Sequence, residues 1–269
     1  MPELPEVETV KETLKKKILN QTIIDLKVLY PQIIEYPSVE EFKKQILNQT
    51  IIDIKRRGKW LLFELNDYYL LSHLRMEGKY NIKHNEKINN HEHVIFYFKD
   101  FNLRYQDTRK FGRMLLYKKE EIYIKEPLNK LGYEPFDNNL TITYLKEKYK
   151  KYRKPIKEVL LDQSIIAGIG NIYADEILFL SKINPYQKPN ELNDEQLNNI
   201  IENTKYVLNE AIKKGGTTIR TYTSSEGVHG RFQQNLLVHN QTKCKICNNQ
   251  IKIEKIGGRS TYYCPNCQK

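Results

Sequence analysis

Pro2 and the carboxylates around it are the first residues in the chain that could break a covalent bond. Loss of Met1, usual before a small residue, leaves a proline whose nitrogen is a free secondary amine, not an amide nitrogen without a hydrogen. An α-amino group titrates near ~8, so a useful fraction is free base at neutral pH. Its attack on an aldehyde-level carbon yields an iminium that has no N–H to lose, stays cationic and draws electrons toward itself during elimination. Glu3 stands beside it as a candidate acid/base. A plainer reading exists. Pro2 would then be a processing residue on a frayed terminus, and Glu3, Glu6 and Glu8 anions in the first turn of a helix. On these residues alone the plainer reading is the stronger.

Three further groups carry chemistry. Cys244-x2-Cys247-x16-Cys264-x2-Cys267 has the ligand type and spacing of a four-thiolate zinc ribbon. Two disulfides are the competing pairing, disfavoured in a cytosolic chain. Such a zinc site is closed and structural, and it would stiffen a hairpin carrying Lys252, Lys255 and Arg259. Around Gly168-Ile-Gly170-Asn171, a dinucleotide loop is excluded because position 173 is Tyr and a helix comes before. The remaining reading is two helices joined by a glycine turn, with Asn171 as N-cap of the second, a start suited to phosphate. Asn171 as a cap for its own helix alone is the alternative. Finally, Arg56-Arg57-Gly58-Lys59, His73-Leu74-Arg75-Met76 and Asp107-Thr108-Arg109-Lys110-Phe111 all fall at strand-to-turn positions. Apolar side chains beside Arg can wedge between bases; Met76 and Phe111 folded back into the core is the other possibility.

These residues need elements to hold them. Val7, Val10, Leu14 and Ile18 recur at helical spacing after Pro5. Leu19-Asn-Gln-Thr-Ile-Ile-Asp-Leu-Lys27 returns 28 residues later as Leu47-Asn-Gln-Thr-Ile-Ile-Asp-Ile-Lys55, each copy leading from a helix into a strand. The second helix opens with a capping box at Ser38 and Glu41. Two related helix–strand units in one sheet system are expected. Strands follow at 60–65, 69–72, 94–98, 103–105 and 114–117, without helices between them, which points to an antiparallel sandwich. After 132–139 the pattern turns helical, at 141–151, 156–162, 171–181 and 194–213. Asn193 with Gln196 caps the last helix and Gly215-Gly216 ends it.

The 269 residues suffice for two domains. A balance of 44 Lys+Arg against 33 Asp+Glu, net +11, suits a polyanionic partner, although Lys-, Asn- and Ile-rich composition alone could produce it. The acidic N-terminus, without an apolar h-region, does not resemble a signal peptide, and no run approaches the ~20 apolar residues of a membrane span. A cytoplasmic protein is expected.

In family order from residue 2 to 268, Pro-Glu-Leu-Pro-Glu-Val-Glu-Thr, Arg-Gly-Lys, His-Leu-Arg-Met-Glu-Gly, Asp-x-Arg-x-Phe-Gly, Gly-x-Gly-Asn-Ile-Tyr-Ala and Gly-Arg-Ser-Thr-Tyr-Tyr-Cys-Pro-x-Cys-Gln resemble bacterial formamidopyrimidine-DNA glycosylase. The resemblance implies an α+β chain in two domains. An N-terminal antiparallel β-sandwich flanked by helices (1–133) would join through a linker (134–140) to a helix–two-turn–helix domain (141–238) and a zinc finger (239–269). Damaged duplex DNA would lie across the cleft between domains. Pro2 would be the nucleophile at the sugar C1′, Glu3 the acid/base, Lys59 a proton donor and phosphate contact, and Arg259 a phosphate contact linked to δ-elimination. Met76, Arg109 and Phe111 would fill the void left by the extruded base, with Arg109 facing the orphan cytosine. Asn171 would join Arg259 on the flanking phosphates. His91 and Arg153 match DNA contacts less specifically. Lys157 matches a lysine involved with the oxidised purine. Thr217, Thr218 and Tyr222 would belong to a base-recognition loop. One structural zinc on the four cysteines, monomeric action near the nucleoid, and no membrane partner complete the implied picture. Flipping a base costs a few kcal/mol, hence the wedge, and phosphate clamps supply sequence-independent affinity. An endonuclease VIII-like enzyme for oxidised pyrimidines is the neighbouring reading, less apt because Leu4 stands where Gly is usual there. A catalytically silent DNA-binding protein is the reading from another class.

Overall fold

The computed structural model describes residues 1–217 and 231–269. These fall into two compact units. The first comprises residues 1–2 and 6–129, and the second residues 3–5, 130–217 and 231–269.

In the first unit, α1 (Leu4–Ile18, its first residues counted with the second unit) puts Val7, Val10, Leu14 and Ile18 into the core, as its periodicity predicts. The strands are β1 (Asp25–Val28), β2 (Ile34–Tyr36), then, after α2 (Val39–Ile46), β3 (Asp53–Arg57), β4 (Trp60–Glu64), β5 (Tyr68–His73), β6 (Lys79–Lys83), β7 (Glu92–Tyr97), β8 (Asn102–Gln106) and β9 (Arg113–Lys118). They make a four-stranded sheet in the order β1-β7-β8-β6 and a five-stranded sheet in the order β2-β9-β5-β4-β3. Pairing is antiparallel apart from the short parallel β2·β9 ladder. The faces meet over Leu61, Phe63, Tyr80, Val94, Phe96 and Tyr105, all buried.

The repeat explains how the two sheets share one starting point, and it corrects the expectation of a single sheet system. β1 and β3 go to different sheets, and the repeated junctions pair with each other. Asn20 N–H donates to Ile51 O (2.8 Å) and Asn48 N–H to Ile23 O (2.8 Å), while Ile23 N–H donates to Gln49 O (2.9 Å) and Ile51 N–H to Gln21 O (3.0 Å). The Thr22 and Thr50 hydroxyls meet at 2.8 Å. Both asparagines hold positive φ (61° and 62°), a left-handed turn that Asn tolerates well. Each copy thus completes the backbone hydrogen bonds of the other. The α2 capping box is half formed: Ser38 accepts from Glu41 N–H, but the Glu41 carboxylate accepts from Gln45.

The second unit packs α3 (Ile142–Tyr149), α4 (Ile156–Leu160), α5 (Asn171–Leu180) and α6 (Asp194–Lys213) around Leu145, Ile156, Leu160, Tyr173, Ile177, Ile200 and Leu208. Asn193 and Gln196 form the full capping box, and Gly215 and Gly216 take positive φ just past α6. The hairpin β10 (Lys252–Ile256) and β11 (Arg259–Tyr263) turns through Gly257 and Gly258, both at positive φ. A Cβ on Gly257 would lie 2.5 Å from Glu158 Cγ, so this turn is pressed against α4. Among the described residues no helix is long and apolar enough to cross a membrane.

Candidate active site and zinc ribbon

In the second unit, the Glu3 carboxylate is buried and takes the place of a cap at the start of α5. Its Oε1 accepts Ile172 N–H at 2.9 Å and its Oε2 accepts Tyr173 N–H at 3.4 Å. The macrodipole favours an anion there. Gly170 leaves room for it: a Cβ at that position would lie 2.2 Å from Glu3 Cδ. Gly168, at φ +103°, lets Leu4 N–H reach its carbonyl at 3.1 Å. The glycine turn is therefore a socket for Glu3 and Leu4. This corrects the reading of Asn171 as N-cap. Gly170 is the N-cap residue, the chain's own carboxylate receives the first free N–H groups, and Asn171 Nδ2 donates to Ser260 O at 2.9 Å.

Arg259 is exposed at the start of β11, with Lys252 and Lys255 exposed on the same hairpin. Asn171 is half-buried, and its Oδ1 is buried without a hydrogen-bond partner among the described residues. Arg153 is exposed, donating to Lys150 O and Tyr152 O. Lys157 is 0% exposed, with its ammonium on Asp175 and on Asn171 O. Thr217 is buried, while Thr218 and Tyr222 lie outside the described residues.

In the first unit Pro2 is buried behind exposed Met1. Lys59 is buried in the turn between β3 and β4, which Gly58 makes possible at φ 57°. Arg56 holds that turn, donating to Gly58 O (3.0 Å) and to the Glu8 carboxylate of α1 (2.7 Å). Burial raises the Glu8 pKa, but hydrogen bonds from Lys11 and Arg56 outweigh it and keep the group below the usual carboxylate range. Beside Lys59, burial together with the charges of Arg75, Lys59 and Arg113 drives His73 down to about 3. The neutral ring accepts Arg75 N–H at Nδ1 (2.9 Å), which fixes the turn leading to half-buried Met76.

Asp107 organises the other turn. Fully buried, its carboxylate accepts the N–H groups of Arg109 (3.0 Å), Phe111 (2.9 Å) and Gly112 (2.8 Å). Lys110 turns the chain at φ 59°, and a Cβ on Gly112 would lie 1.7 Å from Tyr105 Oη. Phe111 is 52% exposed with the Arg109 guanidinium 4.9 Å from its ring centroid, so Phe111 does not fold back into the core. His91 is exposed, in a loop that Arg104 pins by donating to Glu86 O, Lys87 O and the buried Glu92 carboxylate.

The four cysteines meet a direct test for metal. Their sulfurs all lie within 4.8 Å of one another, with Cys244–Cys267 at 3.8 Å and Cys247–Cys264 at 3.5 Å. Zn–S bonds of about 2.3 Å set tetrahedral edges of about 3.8 Å. The Asn249 backbone N–H holds the Cys247 thiol down at about 6, whereas burial and the neighbouring sulfurs push Cys264 and Cys267 up. Four sulfurs at this spacing fit one structural zinc.

Fold and site define a class: a basic protein with a zinc ribbon, a buried Glu3 seated at the start of a helix, and a sandwich bearing an exposed aromatic–arginine turn. Three family profiles match it: the formamidopyrimidine-DNA glycosylase N-terminal domain (residues 1–114), the H2TH domain of the same enzymes (131–223), and a zinc finger found in FPG and IleRS (242–269). Curated relatives named formamidopyrimidine-DNA glycosylase include those of Oceanobacillus iheyensis, 46% identical over 100% of this chain and 98% of that one, and Bacillus anthracis, 47% over 100% and 99%. A Lactococcus lactis Fpg solved with abasic-site DNA is 39% identical, covers 99% of both chains and superposes with a TM-score of 0.93. A mutant of the Lactococcus lactis enzyme solved with Fapy-dG DNA is 40% identical over 100% of both chains, at 0.94. The chain belongs to the formamidopyrimidine-DNA glycosylase family.

The adjacent acids Asp175-Glu176 and their partner His239 escaped the sequence reading. The available signal was two carboxylates inside the apolar run Asn171–Leu180.

Proposed function

We propose that this chain is a bifunctional DNA glycosylase and AP lyase of base excision repair, removing oxidised purines such as 8-oxoguanine and formamidopyrimidines from duplex DNA. Membership of the family over the full chain, with Pro2 and Glu3 both retained, carries this reading. In the reaction, the amine of Pro2 bonds to C1′ as the N-glycosidic bond breaks and the base departs with the bonding pair and a proton. The C1′–O4′ bond then breaks, O4′ taking a proton and the nitrogen lone pair forming the C=N bond, which leaves a ring-opened iminium. Loss of a C2′ proton expels the 3′ phosphate, and a second elimination expels the 5′ phosphate. Glu3 moves protons at the sugar, held by its two backbone donors. Lys59 donates a proton and meets phosphate, and Arg259 with Asn171 holds flanking phosphates. Met76, Arg109 and Phe111 occupy the void, with His91 and Arg153 on the backbone. Thr217, Thr218 and Tyr222 contribute to recognition of the base. Residues 1–133 act as the catalytic domain, 134–140 as linker, 141–238 as DNA-binding domain and 239–269 as zinc finger. Bound zinc stiffens the hairpin that presents Arg259. The enzyme works as a monomer on chromosomal DNA in the cytoplasm.

Borohydride trapping on an 8-oxoguanine:cytosine duplex tests the reading. A covalent adduct is expected with protein whose mass shows Met1 removed, and a much diminished one with Pro2→Gly, whose terminal amine is primary. An undiminished adduct after Pro2→Gly removes Pro2 from the mechanism.

A further inference from the structure

The second unit contains a charged centre that the reaction above does not use. Asp175 is 1% exposed, and donors from three separate segments converge on it. From α4, Lys157 Nζ pairs with Oδ1. From the segment before the zinc finger, His239 Nδ1 meets Oδ2 at 2.6 Å. From β11, Tyr262 N–H reaches Oδ2 at 3.3 Å. The next residue of α5, Glu176, is 2% exposed and accepts three successive backbone N–H groups, those of Leu237 (2.8 Å), Val238 (3.0 Å) and His239 (2.8 Å). Lys157 also donates to the carbonyl of Asn171 at 2.8 Å, and the Asn171 side chain is tied to Ser260 O, one residue beyond Arg259.

A buried ion pair is a poor means of adding stability, since apolar residues of equal volume serve as well or better. It is a good means of setting direction, because hydrogen bonds to a carboxylate tolerate little change of angle. Here the direction being set is that of the hairpin relative to the start of α5. Without Asp175, β11 would lose its link to α5 through Tyr262, and Lys157 would lose the anion that aims it at Asn171.

Resting on the functional reading above, we propose that Asp175 is a positioning residue for the phosphate grip. With Lys157 and His239, it holds Asn171 and Arg259 at the separation at which both engage the backbone of one duplex. Lys157 acts through Asp175 and Asn171, not by meeting the oxidised base.

The test uses full-length, zinc-loaded protein and a duplex carrying a tetrahydrofuran abasic-site analogue, which binds without being cleaved. Asp175→Asn keeps the shape but opposes an amide to one of its donors. It is expected to retain zinc, weaken duplex binding at least tenfold, and flatten the slope of log K against log salt by about 0.9 for each phosphate contact given up. On an 8-oxoguanine duplex KM rises with kcat retained at saturation, and product stops increasingly at β-elimination as Arg259 loses its place. Lys157→Met/Asp175→Leu removes both charges, so a folding defect from an unpaired ion is avoided. Weak binding by this zinc-loaded double variant supports the proposal. Wild-type affinity and salt slope in it overturn the proposal and reduce the network to packing. Failure of wild-type trapping, with these binding results intact, would count against the functional reading alone.

Discussion

Gly170→Ala displaces Glu3 and so tests both jobs assigned to it. The new methyl would lie 2.2 Å from Glu3 Cδ and 2.5 Å from Oε1, closer than any real contact, so the carboxylate must leave. Gly170 itself has φ −125°, which alanine adopts freely, so the backbone is not strained. The cost comes from the two N–H groups left behind. The 2.9 Å bond from Ile172 is charge-assisted and of a kind contributing about 1.5–3 kcal/mol, and the 3.4 Å bond from buried Tyr173 is long and adds less. A destabilisation of about 2–3 kcal/mol is expected in urea unfolding of zinc-loaded protein. If Glu3 moves protons at the sugar, single-turnover excision of 8-oxoguanine should fall by about 10²-fold or more, the range of general acid/base groups. Glu3 stays chemically intact in this variant, so the loss reports its position. Glu3→Asp/Gly170→Ala shortens the side chain by one methylene and should recover part of the stability. Full turnover in Gly170→Ala together with the expected loss of stability would refute the catalytic role and leave Glu3 as a helix cap only.

Asp107→Ala strips three backbone N–H groups of their acceptor, and only that of Gly112 is fully buried, so about 3 kcal/mol of stability is lost and discrimination of the base opposite the lesion relaxes; unfolding and excision across the four opposite bases measure both. Cys264→Ser should release zinc in a chelator-dye assay and weaken duplex binding, whereas full affinity without metal would detach the ribbon from DNA binding. His73 is held near 3 in the folded chain against 6.5 unfolded, so the unfolded chain takes the proton first. Its contribution is complete above pH 6.5 and shrinks by about 1.4 kcal/mol per pH unit as pH falls toward 3. The stability difference between wild type and His73→Gln should therefore narrow between pH 6.5 and 5, and a constant difference would show that His73 titrates normally.

Long periodic elements were legible because one physical rule governs each. α6 begins and ends as its capping box and glycines require, and α1 follows its apolar stripe. β6 escaped notice because Tyr80 and Ile82 alternate among lysines over only five residues, and β2 because three residues carry no period. The zinc site was legible since four ligands at fixed spacing are nearly self-sufficient. The partners of Asp175 were not, since Lys157, His239 and Tyr262 come from distant parts of the chain and only tertiary packing joins them. The repeat was visible as a pattern, yet its use as a self-pairing junction depends on register, which a period seen twice cannot set.

At the start of α5 a residue distant in sequence overrides the local chemistry of the helix end. A glycine turn before a helix offers free N–H groups, and a phosphate is the anion such a start commonly binds. In this chain Glu3, 169 residues from its donor Ile172, supplies the anion instead. Asn171 is thereby released from capping, and its amide reaches across to Ser260 beside Arg259. Two features that looked separate in the sequence, an N-terminal carboxylate and a phosphate-suited helix start, are therefore parts of one arrangement. Its consequence is directional: whatever displaces Glu3 reopens the start of α5 and disturbs the helix whose first residue braces the hairpin. A change at Gly170 should then be felt at Arg259, whereas a change at Arg259, which is exposed, should leave Glu3 where it is.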